Sequence, residues 1–387
     1  MFKSLLIILG GLVIGISIAY IAVFQFHTLG TISSKISLPQ LLEPKKQVIG
    51  FLPYWLIEKA QKDYSPYITT LTYFGLTLDG TGKIQKKVSE QENEPGWNAL
   101  STGKMDVIFS TAKKNKIALS LLVFTGDEEH IKELISQPDA HAQNLVNDIQ
   151  PLMKKYSFTD LNLDIESITS ASDDARLNFG EFIKHVKTQM AAKNLGTLTV
   201  EVTPFSLISK QLIDVNQIKT YADYVVLMAY DYHYQGSAVT GAVAPLGGAG
   251  AIAEFDTTTS VNQALKILPP QKLVLGIPLY GYEWETIGDT PHSAVIPGTG
   301  RVASNARVQT FLSNCATCSA KIDIEAKEKY IIYKDQETGT IHQIFSPETF
   351  STQEKVAFSQ KNKLGGIALW ALGYEESSAL IPLKKYH

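Results

Sequence analysis

The sequence predicts an α/β protein built as a (β/α)8 TIM barrel, and three observations support this fold class. From residue 47 onward, short apolar runs rich in β-forming residues alternate with longer amphipathic stretches, the pattern of parallel strands joined by crossover helices. Eight such runs can be counted. The roughly 340 residues that contain them fit one barrel with insertions better than two ordinary domains. A doubly wound open sheet is the alternative.

The eight candidate strands span residues 48–54, 70–76, 116–124, 160–166, 197–204, 224–230, 273–280 and 365–371. Residues 173–193 predict a helix, because apolar residues recur there at near-helical spacing after two aspartates. The interval of about 283–350 is too long for one crossover, and it carries two strand-like runs around the turn at Glu337, Thr338 and Gly339. It predicts a small α+β insertion between strands 7 and 8.

The amino-terminal residues predict one transmembrane helix ahead of the barrel. Residues 5–26 carry no charged side chain and reach about the 20 apolar residues that cross a hydrocarbon core. A cleaved signal peptide is the competing interpretation, but the run exceeds the usual roughly 7 to 15 residues and no A-x-A site follows. We expect residues 1–26 to form the cytoplasmic end and anchor, residues 27–46 a linker, and residues 47–387 the barrel.

Composition excludes some classes of function. A formal net charge of -3 gives no basic footprint for nucleic acid, and DNA- or RNA-binding proteins need one to neutralise phosphates. The two cysteines, Cys315 and Cys318, are too few for a four-ligand zinc site, and we expect neither a metal nor a cofactor. A local disulfide, a redox motif and two incidental thiols remain open for this pair, and the absence of a thioredoxin-like context favours the disulfide.

The fourth strand carries the most informative residues. In FTDLNLDIES, Leu161, Leu163 and Ile165 alternate with Asn162, Asp164 and Glu166, so the polar three share one face. Inward polar groups are costly in a barrel unless they lie near the open carboxyl end, where such barrels keep their active sites. A carboxylate two residues away would raise the pKa of Glu166, as a proton donor requires. An edge strand with solvated acids is the alternative.

This segment resembles the fourth-strand pattern F-D-G-x-D-x-D-x-E of glycoside hydrolase family 18, which ends in the catalytic glutamate. Asp164 and Glu166 match its last two acids, while Thr159, Asp160 and Asn162 replace the first acid, the glycine and the inner aspartate. Because Asn162 removes one charge, we expect Asp164 to ionise more easily.

Other matches to the family follow in strand order. Met228 to Asp231 is similar to its M-x-Y-D, residues 244–246 to its A-P-L, and residues 276–284, which include Tyr280, to its G-x-P-x-Y-G run. Trp370 ends the eighth strand, where the family places the aromatic floor of a sugar subsite. The resemblance covers almost everything after residue 47.

The resemblance implies a retaining hydrolase in which the substrate's own 2-acetamido oxygen attacks the anomeric carbon. Glu166 would be the acid and base, Asp164 would orient the acetamido group, and Tyr230 would bind its carbonyl. Asp231, Trp370, Met228, Asn162 and Tyr280 would help to hold the sugar, and Tyr54 and Tyr73 at the ends of the first two strands are candidates for lining the cleft.

The same resemblance implies an N-acetylhexosamine polymer as the partner. The segment after residue 284 and the closing residues 365–375 are most similar to the spore cortex and cell-wall lytic branch of the family. That similarity favours peptidoglycan, with chitin or chitooligosaccharides next, and places the barrel outside the membrane. A lectin-like member that binds carbohydrate without cleaving it is one alternative, and a membrane-tethered structural barrel is another.

Overall fold

A computed structural model of the chain describes residues 46–167, 170–250 and 254–386. The predicted anchor at 5–26 and the predicted linker up to residue 45 lie outside the described residues. Of the helices that the structure does describe, none is long and apolar enough to cross a membrane. The anchor therefore stays a prediction.

Eight parallel strands close into a barrel, which confirms the predicted fold class. They are β1 (Gln47–Pro53), β2 (Thr70–Thr77), β3 (Ala118–Thr125), β4 (Asp160–Ile165), β5 (Thr197–Val202), β6 (Tyr224–Leu227), β7 (Leu273–Pro278) and β13 (Gly366–Trp370). Consecutive strands pair with each other, and β13 closes the barrel between β7 and β1. No strand end differs from its predicted position by more than three residues.

Helices follow most of the strands and cover the outside of the barrel. They are α1 (Pro95–Ser101), α2 (Asp106–Lys114), α3 (Glu128–Leu134), α4 (Pro138–Tyr156), α5 (Asp173–Ala192), α6 (Val215–Ile218), α7 (Thr257–Ala264), α8 (Asn305–Asn314) and α9 (Thr349–Lys361). The predicted helix is α5, whose first turn is capped by the Ser172 hydroxyl accepting from the Ala175 N–H. The largest core cluster lies between strands and helices, and a smaller one fills the inside of the barrel.

A five-stranded sheet and α8 form an insertion between β7 and α9, the helix that leads into β13. Its strands are β8 (Tyr280–Thr286), β9 (Arg301–Ser304), β10 (Lys321–Asp323), β11 (Glu328–Lys334) and β12 (Ile341–Ser346), in the order β10-β11-β12-β8-β9. The two runs read as a hairpin from the sequence are β11 and β12, and they pair in antiparallel fashion. The sheet begins at Tyr280, so this residue opens β8 rather than ending β7 as predicted. Cys315 and Cys318 are joined by a disulfide.

A buried carboxylate fastens this inserted sheet to the barrel. Glu328, at the start of β11, accepts the backbone N–H groups of Val243 and Ala244 at 2.8 and 3.1 Å. Lys355 on α9 lies 3.9 Å from the same carboxylate, and both side chains are fully buried. The loop that follows β6 is therefore held in place by the insertion.

Candidate active site

A cavity of about 400 Å³ lies where the barrel strands end. Its wall is mainly aromatic and apolar, with four carboxylic acids among the lining side chains: Phe51, Phe74, Leu122, Phe124, Asp164, Glu166, Glu201, Thr203, Pro204, Phe205, Met228, Tyr230, Asp231, Tyr232, Tyr280 and Trp370. A concave site with a few converging polar groups is typical of a small-molecule or sugar site. No cluster of His, Cys, Asp and Glu within the described ranges has an arrangement that could hold a metal ion.

The polar residues of β4 form a column inside the barrel, as their alternation predicts. Asp160, Asn162 and Asp164 are buried, while the leucines between them join the core outside the barrel. At the bottom of the column, Asp160 accepts hydrogen bonds from three hydroxyl groups, those of Ser120, Thr197 and Thr199, at 2.6 to 3.0 Å. Burial still outweighs these bonds and raises the pKa of Asp160 to about 6.

Glu166 and Asp164 form a hydrogen-bonded pair at the top of the column. Glu166 directly follows β4, and its N–H donates to the Thr125 carbonyl at 2.9 Å, which aligns it with the neighbouring strand end. Burial raises the pKa of Asp164 well above its usual range, and the charge and hydrogen bond of Glu166 raise it further. Both effects favour the protonated form of Asp164, which faces Glu166 as a hydrogen-bond donor.

The cause of the raised pKa of Glu166 differs from the sequence-based expectation. Burial is the largest contribution and the charge of Asp231 is the next, while the hydrogen bond from Asp164 lowers the pKa. Asp164 therefore tunes Glu166 as a donor rather than as a repelling neighbour. Glu166 still has the raised pKa that a proton donor near neutral pH requires.

The expectation that Asn162 leaves Asp164 easier to ionise stays a prediction, because it compares an amide with an acid at one position. The structure adds a further buried acid near both residues, Glu201. This acid lies on β5, which pairs with β4, and it is only 2% exposed. Burial and the charge of Asp164 raise the pKa of Glu201 well above its usual range, while the nearby Asn162 amide lowers it without reaching full hydrogen-bond geometry. The barrel interior thus keeps an extra acid that the β4 sequence alone does not reveal.

Tyr230 and Asp231 meet this acid cluster from the end of β6. Burial raises the pKa of Tyr230, and the charges of Glu201, Asp164 and Glu166 add to the effect, so its hydroxyl stays protonated. Asp231 has a positive φ of 58°, a conformation that aspartate tolerates better than most residues. Its carboxylate accepts the hydroxyl groups of Tyr280 and Tyr282, at 2.5 and 3.2 Å.

Trp370, at the end of β13, lies within an aromatic cluster at the cavity. Its ring centroid is 4.8 Å from that of Phe74, 5.8 Å from that of Phe51 and 6.5 Å from that of Trp55. Edge-to-face contacts of this kind hold the indole in one orientation. The ring can therefore present an apolar surface to a sugar that enters the cavity.

Three predicted binding residues do not line the cavity. Tyr73 is fully buried, donates its hydroxyl to the Gly96 carbonyl at 2.7 Å and packs on Phe109, because it faces away from the barrel interior. Asn162 is fully buried and lies one layer below Asp164. Tyr54 packs edge-on against Trp55, 4.9 Å away.

The predicted residues Glu166, Asp164, Tyr230, Asp231, Met228, Tyr280 and Trp370 do meet in the cavity. Nine other lining residues were missed, among them the acid Glu201 and the exposed Phe205. A signal for Glu201 was available, because the polar residues 199, 201 and 203 alternate along β5 as the polar residues of β4 do. Phe205 follows β5 in a 3-10 turn, and nothing in its local sequence distinguishes it from a core phenylalanine.

Comparison with known proteins identifies the family. The sequence pattern described as "Glycosyl hydrolases family 18" matches residues 47–375. The chain belongs to this family. It is accordingly a glycosidase, and the chitinase-like appearance noted in its motifs is confirmed.

Two relatives and two solved structures illustrate the similarity. The chain is 23% identical over 352 residues to "Putative sporulation-specific glycosylase YdhD" of Bacillus subtilis, covering 88% of this chain and 74% of the relative. It is 24% identical over 318 residues to "Cortical fragment-lytic enzyme" of Bacillus anthracis, covering 81% and 67%. The Ostrinia furnacalis Group IV chitinase shares the fold with a TM-score of 0.74, at 20% identity and covering 88% of this chain and 97% of that one. The spore cortex-lytic enzyme SleL of Bacillus megaterium does so with a TM-score of 0.70, at 20% identity and covering 89% and 75%.

Proposed function

We propose that this chain is a retaining hydrolase of β-1,4-linked N-acetylhexosamine polymers that uses the acetamido group of its substrate as the nucleophile. The observation that carries the proposal is the buried Asp164–Glu166 pair, which shares a cavity with Tyr230 and Trp370. Glu166 can donate the proton of the pair to the substrate, and Asp164 can then remain as an anion. Such a pair suits an enzyme whose substrate supplies its own nucleophile.

The residues divide the reaction between them. The one proton of the pair passes from Asp164 to Glu166, and Glu166 donates it to the glycosidic oxygen, which leaves with the electron pair of the broken C1–O bond. The acetamido oxygen forms the new bond to C1. Asp164 is then an anion that stabilises the positive oxazolinium and holds its N–H. Tyr230 donates its hydroxyl to the acetamido carbonyl, and Glu166, now a carboxylate, takes a proton from the water that opens the ring.

Peptidoglycan is the favoured substrate and chitin the next. The names of two relatives, a cortical fragment-lytic enzyme and a sporulation-specific glycosylase, support the first. The similarity to a chitinase fold supports the second. Both polymers offer the 2-acetamido group that the mechanism needs, so the site chemistry is the same for either.

We propose that the barrel lies on the outer side of a membrane, held there by the helix predicted at residues 5–26. A cell-wall polymer is reached from that side. The disulfide between Cys315 and Cys318 supports this placement, because disulfides persist in oxidising compartments and are rare in the cytosol.

The test is hydrolysis by the full-length chain in mild detergent, with purified peptidoglycan and chitooligosaccharides as substrates. Glu166→Gln should lower kcat by about 100-fold or more, because an amide cannot donate the proton, and saccharide binding should remain. Glu181→Gln is the matched control, since Glu181 is an exposed residue on α5. The measurement is the release of reducing N-acetylhexosamine ends.

Three outcomes would contradict the proposal. Binding of the saccharides without turnover by the parent chain would favour a lectin-like protein. Neither binding nor turnover would favour a structural barrel. An active Glu166→Gln variant would show that the proton comes from another group.

A further inference from the structure

A set of buried polar atoms beneath the Asp164–Glu166 pair has no hydrogen-bond partner among the described residues. It comprises both carboxyl oxygens of Glu201, both amide atoms of Asn162 and Oδ1 of Asp164. Buried polar groups are nearly always paired, because each unpaired one costs free energy. So many on adjacent strands, directly under the reacting acids, call for a functional explanation.

Glu201 cannot be an ordinary buried ion pair. Its titratable neighbours are acidic groups: Asp160 and Asp164 on β4, Glu166 directly after β4, and Tyr230 beyond the end of β6. None of these supplies a positive charge. Burial without a neighbouring cation favours the neutral form of a carboxyl, and the Asn162 amide offsets this only in part. A protonated Glu201 can donate one hydrogen bond.

The proposed reaction creates a need for that hydrogen bond, and this step rests on the proposed function. The Asp164–Glu166 pair begins with one shared proton. Once Glu166 has passed it to the glycosidic oxygen, both acids are anions, and Asp164 has lost the only hydrogen bond that links it to Glu166. Its Oδ1 has no other partner among the described residues.

We propose that Glu201 is a positioning residue that takes over, from β5, the place of the inner acid replaced by Asn162, and that its protonated carboxyl donates a hydrogen bond to Asp164 when the pair loses its proton. The donor stabilises the Asp164 anion at the moment when the oxazolinium charge develops. It acts through Asp164.

Two substitutions of Glu201 separate the effect of its hydrogen-bond donor from the effect of its side-chain volume. Glu201→Gln keeps the size and an N–H donor, whereas Glu201→Met keeps the approximate volume and removes the donor. Glu201→Met should lower kcat by about tenfold to hundredfold with KM little changed, as expected for one hydrogen bond to a charged group. Its alkaline limb should move to higher pH, because Asp164 without a donor holds its proton more tightly. Glu201→Gln should retain most of kcat.

A rescue variant sharpens this comparison. In Glu201→Met combined with Asn162→Asp, the new acid faces Asp164 from below and can carry the missing proton. We expect kcat to recover by about fivefold or more over Glu201→Met alone. Equal kcat and equal pH profiles for the Gln and Met variants would overturn the proposal, and so would a rescue variant no better than Glu201→Met.

A measurement independent of catalysis tests the proton itself. The pKa of Glu201 is raised in the folded state, so stability from this group is lost as pH rises above its unfolded value. The parent should therefore lose stability relative to Glu201→Gln as the pH rises. The difference in melting temperature in favour of the variant should grow by about 2 °C or more between about pH 5 and about pH 8. A constant difference would overturn the protonated state. A parent chain that binds but does not cleave would overturn the proposed function, while this melting comparison would still decide the protonation of Glu201.

Discussion

Buried carboxylic acids in two regions of this molecule have pKa values shifted in opposite directions. In the inserted sheet, Glu283 is fully buried and is surrounded by donors: Arg301 at 2.5 Å, Tyr333 at 2.7 Å, His342 at 2.9 Å, and Arg307. Burial raises the pKa of Glu283, but these hydrogen bonds and the arginine charges outweigh it and lower the pKa to about 2. In the barrel, Asp164 and Glu201 are equally buried without any cation, and their pKa values are raised.

The difference shows what each region is built for. Glu283 is a permanent anion that ties β8, β9, β11, β12 and α8 together. The barrel acids are kept neutral, or share protons, in a place where full pairing would have been more stable. Unpaired buried acids at the ends of barrel strands are typical of active sites, where reactive groups lower the stability of the fold.

Removing the paired charge should have the largest effect on folding. Glu283→Gln leaves two arginines without their partner and should lower the free energy of unfolding by about 3 kcal/mol, at the low end for a broken buried ion pair because both arginines are partly exposed. Urea unfolding measures this, with Glu285→Gln on the same strand as the control. A loss no greater than that of the control would mean that Glu283 is not a structural anion.

The pH dependence of that loss should follow the pKa of Glu283. Because its folded pKa is lowered to about 2, its stabilisation is complete above the unfolded value and is lost as pH falls through the folded one. The difference between the parent and Glu283→Gln should thus be full at neutral pH and shrink below about pH 4. A difference that stays constant down to about pH 3 would contradict the assignment.

A smaller change of opposite sign is expected in the barrel. Asp164→Asn replaces an acid that burial forces to hold its proton, so the free energy of unfolding should rise by about 1 kcal/mol at about pH 8, and less at low pH where the acid is already protonated. Hydrolysis should be nearly lost in the same variant. A variant that is both inactive and less stable would show that Asp164 serves the fold as well as the reaction.

The barrel could be predicted because each strand carries its own signal. Apolar runs of seven to nine residues show period two or full burial locally, and β1 to β7 and β13 all appear where the sequence places them. Asp164 and Glu166 were found from the alternation of polar residues along β4, and Tyr230 and Trp370 from the resemblance of their strand ends to family motifs. A barrel brings these strand ends to one face.

What could not be predicted depends on contacts between strands. Whether Tyr73 or Phe74 faces the cavity depends on the phase of β2 in the barrel, and the tyrosine proved to face outward. Glu201 matters because β5 places it beside Asp164, which no inspection of β4 reveals. The causes of the raised pKa of Glu166 likewise include Asp231, which is 65 residues further along the chain.

The two tyrosine hydroxyl groups that donate to Asp231 have a practical consequence for the redesign of this enzyme. Tyr280 and Tyr282 belong to the first strand of the inserted sheet, and Glu328 of the same sheet holds the loop after β6. A minimal barrel made by excising the insertion would lose the groups that orient a cleft aspartate. An exchange of insertions between relatives has to keep these three side chains, because their hydrogen bonds connect the inserted sheet to the cleft.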